Sequence, residues 1–413
     1  MNHRRRAAMV GLATALAAGP ALGREWTRFR GPNGTGSSDA TTVPVRWKEG
    51  DFNWKIELPG TGHSSPVAWG DKIFVTCADP KSSRRSVLCI RPRDGKTHWQ
   101  RDREGVVYKP TRNNSLASST PAVDAQHVYV SEPTPEQFTV FALTHKGKPA
   151  WSRDLGPFES RHGGALSPIV YRDLVIQTNH HLGESFIIAL DAATGEPRWK
   201  VERQSQRACY GTPCIYEPVQ GKPELIVITT KHGITSLDPA TGKTLWEVAG
   251  VFDKRVVSSP IIASGLIVGT TGSGYGGNYL AAVRPGVTTD DASSAIAYKV
   301  TRSAPYVPTP VARGDLMFLW SGNGVVSCVR SKTGEELWRE RVGGNYLASP
   351  VCVNGRLYGV STDGDVVVLA ASEKYELLAR NALGEPSHAT PAVAGGVMYV
   401  RTLSHLISIG GTK

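Results

Sequence analysis

Ala189-Leu190-Asp191-Ala192-Ala193-Thr194-Gly195-Glu196-Pro197-Arg198-Trp199 joins an apolar run to a second strand, with a tryptophan four residues beyond the glycine. Its chemistry is that of a tight hairpin: Asp191 bonds turn amides, Gly195 takes the left-handed position, and the next strand begins at once. The same glycine-to-tryptophan interval recurs at Gly95 and Trp99, Gly147 and Trp151, Gly242 and Trp246, and Gly334 and Trp338. Each tryptophan is expected to dock between neighbouring units. Burying an indole removes about 150–250 Å² from water, on the order of 4–6 kcal/mol gross before entropy is subtracted. That accounts for the repetition without a catalytic role.

About thirty residues ahead of each turn lies a second marker, a Ser/Thr-Pro pair followed by a small apolar residue. Its prolines fall at 66, 121, 168, 213, 260, 310, 350 and 391. The spacings match the roughly 40–50 residues per blade of propeller repeats. Between the markers lie β-rich runs such as Lys72 to Thr76, Leu174 to Thr178, Leu316 to Trp320 and Val397 to Arg401. Each unit therefore reads as four strands: A from the Ser/Thr-Pro, B from these runs, C into the turn and D carrying the tryptophan. The fold class is all-β, an eight-bladed β-propeller of four-stranded antiparallel blades.

The eighth copy stops before any turn or tryptophan, so it lacks strand D. Trp54-Lys55-Ile56-Glu57-Leu58 stands 12 residues ahead of Pro66, just as Trp338 stands 12 ahead of Pro350. The N-terminal strand is thus expected to complete the last blade and close the ring, removing its exposed sheet edges. The propeller spans residues 52–413 and follows an arm at 24–51. Blade 5 is irregular: Gly272 to Gly277 is glycine-rich, and Ala281 to Tyr298 carries no Gly-x-x-x-Trp. The arm's Arg30-Gly31-Pro32-Asn33-Gly34-Thr35-Gly36 is only loosely like a phosphate loop, without the Gly-Lys-Ser/Thr such loops need. It reads as a capping arm.

Residues 1–23 start with Arg4, Arg5 and Arg6, continue through a weakly apolar stretch and end in Ala21-Leu22-Gly23, the layout of a cleavable secretory signal. The expected location is therefore periplasmic or secreted, with no transmembrane segment. Removing that segment leaves 44 basic against 36 acidic residues, a net charge of +8. No basic stripe with interleaved aromatics accompanies the charge, so no nucleic-acid partner is expected. The six cysteines form no CxxC pair and no metal spacing. Cys77 and Cys89 fall on adjacent strands, leaving a disulfide and buried free thiols as the two alternatives.

The Ala-x-Asp-x-x-Thr-Gly-x-x-x-Trp pattern at Ala189 to Trp199, with weaker versions in four other blades, resembles the repeat of pyrroloquinoline-quinone-like (PQQ-like) β-propellers. The resemblance covers residues 52 to 410. It implies kinship with quinoprotein alcohol and glucose dehydrogenases and with non-enzymatic propellers such as the outer-membrane assembly lipoprotein. The family's enzymes imply a vicinal Cys-Cys disulfide, a Trp beneath the quinone, a Ca²⁺ held by Glu, Asn and Asp, and a catalytic Asp. No adjacent cysteines occur. No cofactor is expected, with PQQ and Ca²⁺ kept as the alternative. A lipid-attachment Cys is also absent.

Strand order puts the D-to-A connections and B-to-C turns on one face. The former carry His63, Asn114, His162, Tyr210, Arg255, Tyr306, Asn345 and His388; the latter carry His180, His181, His232 and His405. These twelve are the candidate polar lining of the central channel's mouth, suited to an anion or a divalent ion. His180-His181 followed by Glu184 is the best local ligand cluster. Unspecific loop polarity explains the same residues without a site, and Asp290-Asp291 and Asp363-x-Asp365 read as turns. The catalytic residues are unknown, and no metal site is assigned. The leading functional reading is a monomeric, exported binding or scaffold module taking a protein, small-molecule or polysaccharide ligand at one face. A PQQ-dependent oxidoreductase acting on alcohols or sugars, and a hydrolase or lyase at the histidines, are the alternatives.

Overall fold

The computed structural model describes residues 25–287 and 292–411. The signal-like segment, Asp290 and Asp291 lie outside them. Eight sheets form eight blades. Blade 3 shows the pattern: Ile169–Tyr171, Leu174–Asn179, Ser185–Asp191 and Pro197–Arg203 pair antiparallel in that order. Neighbouring A strands abut one another around the axis. Strands B and C are buried along nearly their whole length. Strand D, alternately exposed, is the rim. Trp54–Glu57 pairs with His405–Gly410, so the N-terminal strand is strand D of blade 8.

The Ser/Thr-Pro marker proves to be a circumferential bond. At six of the eight steps the amide of the residue before the proline donates to the hydroxyl of the next blade's marker: Ser65 to Thr120, Thr120 to Ser167, Thr212 to Ser259, Ser259 to Thr309, Thr309 to Ser349 and Ser349 to Thr390, at 2.9–3.0 Å. Buried amides at the inner rim need acceptors, and a hydroxyl supplies one without an added strand.

At the outer rim the indoles reach the next blade's turn. Trp54, Trp99, Trp151, Trp199 and Trp338 each donate Nε1 to a carbonyl of the following blade: Pro92, His145, Ala192, Pro239 and Ser372. A Cβ on Gly195, whose φ is +73°, would lie 2.5 Å from the Trp151 ring. These indoles are only half-buried, because strand D is the outermost strand. The full-burial energy expected above is therefore an upper limit. Trp246 differs: it is buried, donates to Glu224 of its own blade at 2.7 Å, and packs with Ala295 and Ile296 beside the irregular part of blade 5. In blade 5 itself Tyr298 takes the tryptophan's position, donating its hydroxyl to Ser331 of blade 6 at 2.6 Å and covering Gly334.

Blade 7 has Ala379 at the register position that Trp338 holds in blade 6. The arm fills the gap. Trp47 stacks on Tyr358, its amide donates to Asn381, and Asn381 donates to the Val45 carbonyl. Ser37–Ser38 adds a parallel edge to blade 7 beside Cys352 and Val353. The first part of the arm crosses the channel. Trp26 bridges to Ala68 of blade 1, Asn33 exchanges two hydrogen bonds with Ile215 of blade 4, and Arg28 donates to the Pro213 carbonyl. Arg30, fully buried, donates to the carbonyls of Thr309, Pro310 and Pro350 at 2.7–3.3 Å. Carbonyls of the repeated prolines thus hold the arm's guanidiniums. Burial lowers Arg30 to about 9 and Arg28 to about 10, so both remain charged at neutral pH.

All six cysteines are free and buried. Cys77 lies opposite Ser86, and Cys89 opposite Phe74. Ser86 and Cys89 are three residues apart, which places the two thiols on opposite faces of the sheet and rules out the disulfide alternative. Burial pushes the thiols of Cys77 and Cys352 up to about 11, and those of Cys89, Cys214 and Cys328 to about 12. They are protonated and unreactive.

Candidate functional site

The twelve candidate residues do not converge on one point. They separate into a network at blades 2 to 5, an imidazole pair at the seam of blades 8 and 1, and individually satisfied side chains. The network starts at Asn114, which donates to the His162 carbonyl at 2.7 Å and fixes the backbone of the connection into blade 3. The His162 ring then meets Arg255, Nε2 to guanidinium Nη1, at 2.7 Å. Desolvation, Arg255 and Arg161 hold His162 below its ordinary range, so it is neutral and accepts from the guanidinium. In the same connection Ser160 bonds Tyr210 at 2.7 Å, and the Tyr210 hydroxyl donates to Gly163 at 3.1 Å.

These contacts wall a cavity of about 260 Å³ on the D-to-A face. Arg161, Arg207 and Arg255 line it with Ser160 and Gln206, and Leu182 and Ala208 supply its apolar edge. None of the three arginines enters an ion pair among the described residues. The contrast is Arg203 nearby, which is neutralised by Glu247 at 3.1 Å. The cavity is thus lined by arginines without an ion-pair partner, with the Glu159 carboxylate beside Gly183 as the nearest acidic neighbour.

At the seam, the His63 and His388 rings lie 4.4 Å apart. Burial, His388 and Arg401 push His63 down to about 3. Behind it the fully buried Arg401, from strand B of blade 8, donates to the Ser64 hydroxyl at 2.6 Å and to the Thr76 carbonyl. The inner hydroxyl at this junction, Ser65 Oγ, has no partner. Arg401 therefore supplies the bond across the closure, and its role there is structural.

His180 and His181 do not form a ligand cluster with Glu184. His180 is buried and held well below its ordinary range by desolvation and by Arg203. His181 Nδ1 accepts the amides of Glu159 and Gly183 at 3.0 and 3.1 Å, while Glu184 is exposed. His232 pairs with Glu247 at 2.9 Å and His405 with Glu385 at 3.0 Å. Tyr306 lies against Gly272, and Asn345 is exposed in its loop. Ser361 and Asp365 bond each other in a turn, as the Asp363-x-Asp365 spacing suggests. Among the described residues no three His, Cys, Asp or Glu side chains gather around a common point. Arg161, Gln206 and Arg207 as one wall were missed as a set; consecutive D-to-A connections carrying arginine were the signal available.

Fold and repeat together define a PQQ-like eight-bladed β-propeller. The family model described as outer membrane protein assembly factor BamB matches residues 39–207, 183–283 and 322–409, and the chain belongs to that family. It is 24% identical over 257 residues to BamB of Moranella endobia, covering 55% of this chain and 61% of that protein. It is 33% identical over 105 residues to BamB of Burkholderia pseudomallei, covering 25% and 27%. The matched regions thus span less than two thirds of these relatives. Among solved structures, BamB from Moraxella catarrhalis superposes with a TM-score of 0.61 at 16% identity, covering 87% of this chain and 97% of that one. The quinohemoprotein alcohol dehydrogenase of Comamonas testosteroni gives 0.64 at 13% identity, covering 94% and 81%. At such identities the structures share the fold alone.

Proposed function

We propose that the protein is an exported, non-enzymatic propeller that binds other proteins and acts as a scaffold in outer-membrane protein assembly, without bound quinone. The observation that carries this reading is the filled channel: the arm's Arg28 and Arg30 occupy carbonyls of the innermost strands. The relatives' name supplies the process. The quinone alternative finds little to build on. No two cysteines are adjacent and all six are buried free thiols. The mouth beside His63 and His388 is backed by the cation of Arg401, which is ill suited to a Ca²⁺. No helix among the described residues is long and apolar enough to cross a membrane.

The test combines cell fractionation with depletion in the native host. The protein should appear in the envelope fraction, and depletion should lower the amounts of outer-membrane proteins. Recovery in the cytoplasm, or unchanged outer-membrane proteins on depletion, would overturn the reading. So would dye reduction with an alcohol or sugar that requires added quinone and Ca²⁺.

A further inference from the structure

We propose that the arginine-lined cavity on the D-to-A face is a binding site for a sugar acid, a hexose-sized ring carrying a carboxylate or sulfate group. This site stands apart from the protein-scaffold reading and does not depend on it. Three features select the ligand. The first is charge: Arg161, Arg207 and Arg255 all line one cavity, and no carboxylate residue is among those that line it. A planar guanidinium fork matches the two oxygens of an oxyanion, and Arg161 and Arg207 are exposed and free of ion pairs among the described residues. Arg255 Nε is buried without a partner.

The second feature is size. About 260 Å³ is far more than a lone inorganic anion fills, and it lies just below the usual range of small-molecule pockets. A single six-membered ring with its acid group suits it. The third is the remaining wall. Ser160 and Gln206 offer hydrogen bonds for ring hydroxyls, and Leu182, an apolar side chain left 54% exposed at the edge, offers a surface for the C–H face of a sugar.

The cavity is also held in shape before any ligand arrives. Asn114 fixes the His162 backbone, His162 holds Arg255, and Tyr210 holds Ser160. Four of the residues singled out from the strand order, Asn114, His162, Tyr210 and Arg255, thus gain a common task. They position the wall, and Arg161, Arg207 and Arg255 bind. A preset wall lowers the ordering cost of binding.

Calorimetric titration of the full chain with glucuronate, glucose 6-sulfate, glucose and inorganic sulfate tests the proposal. The two acids should bind at least ten-fold more tightly than glucose, and glucose 6-sulfate ten-fold more tightly than inorganic sulfate. The double variant Arg161→Gln, Arg207→Gln should lose at least ten-fold for the acids. Lys332→Gln, which removes one positive charge on an exposed turn elsewhere, should leave binding unchanged. Asn114→Ala should weaken the acids through Arg255 while its circular dichroism stays that of the parent. Equal binding of inorganic sulfate would reduce the cavity to an oxyanion site and overturn the proposal. So would absence of binding, or equal losses in Lys332→Gln. Failure here with outer-membrane proteins still reduced on depletion would remove this site and leave the scaffold reading intact.

Discussion

The junctions from blade 1 to blade 4 and the seam from blade 7 through blade 8 to blade 1 solve one packing problem in two ways. At the regular junctions an indole from one rim strand lies over the next blade's turn glycine, and a marker amide bonds a marker hydroxyl at most inner-rim steps. Each of these junctions is made from residues about 45 apart, and blades 1 to 3 repeat the indole contact. At the seam each junction keeps one repeated part and lacks the other: Ala379 stands where an indole would although Ser349 still bonds Thr390, and Ser65 Oγ is unbonded although Trp54 still reaches Pro92. Trp47 from the arm and Arg401 from blade 8 supply the contacts instead. Repetition builds the ring, while unrepeated residues close it.

The largest effect is expected from the arm's buried arginine. Arg30→Leu leaves the carbonyls of Thr309, Pro310 and Pro350 without this donor, and should lower unfolding free energy by about 3–5 kcal/mol, the sum of about 1–3 kcal/mol for each buried acceptor left unpaired. Urea denaturation measures it; a loss under about 1 kcal/mol would mean that the arm merely rests in the channel. Next come the two indoles. Trp199→Ala and Trp47→Ala should each cost about 2–4 kcal/mol, below the full-burial value for Trp199 because that ring is half-exposed. A much smaller loss for Trp47 would show that the seam does not need an indole substitute.

Glycine substitutions separate backbone from ring contact. Gly195→Ala meets both a positive φ and the Trp151 ring, and should cost about 2–3 kcal/mol. Gly286→Ala has a similar φ of +76° but open space around it, and should cost about 1 kcal/mol. Equal losses would remove the ring from the account. The comparison also has a pH dependence. Burial depresses His63 from 6.5 to about 3, and His232, Thr235 and Arg203 depress Glu247 from 4.5 to about 2 despite opposing desolvation. A group depressed by folding stabilises above its unfolded value and loses that contribution as pH falls. Thermal melting should therefore decline from about pH 6.5 to 3 through His63 at the seam, and from about 4.5 to 2 through Glu247 within blade 4. His63→Phe should lessen the first decline, to which the depressed His162 and His180 also contribute, and leave the second unchanged.

Local regularities made the ring legible. Eight Ser/Thr-Pro pairs and a truncated last copy were enough to place Trp54 in blade 8, because each blade carries its own signals. The hydroxyl's purpose was not legible, since its acceptor role exists only between blades. Tyr298 was passed over because an aromatic ring with a polar tip can replace an indole that the pattern required by name. Loop membership of the histidines followed from strand order, but their depth did not: His180 is sealed while Asn345 is bare, and burial is a property of the assembled neighbours. The arm was the least legible part. Arg30 carries no mark of the proline carbonyls it will meet.

That last pairing sets the order in which the molecule can be finished. The Arg30 to Pro350 hydrogen bond joins residues 320 apart, and Thr42 reaches Gly396 across 354. During synthesis the arm emerges first, yet the acceptors of Arg30 exist only once blades 6 and 7 have been made and brought round the axis. Loop closure over such distances is slow, and non-local contacts form late. The residues translated earliest are therefore the ones seated last. Until then the Arg30 guanidinium stays in water, whereas Arg28 has its acceptor as soon as blade 4 is made.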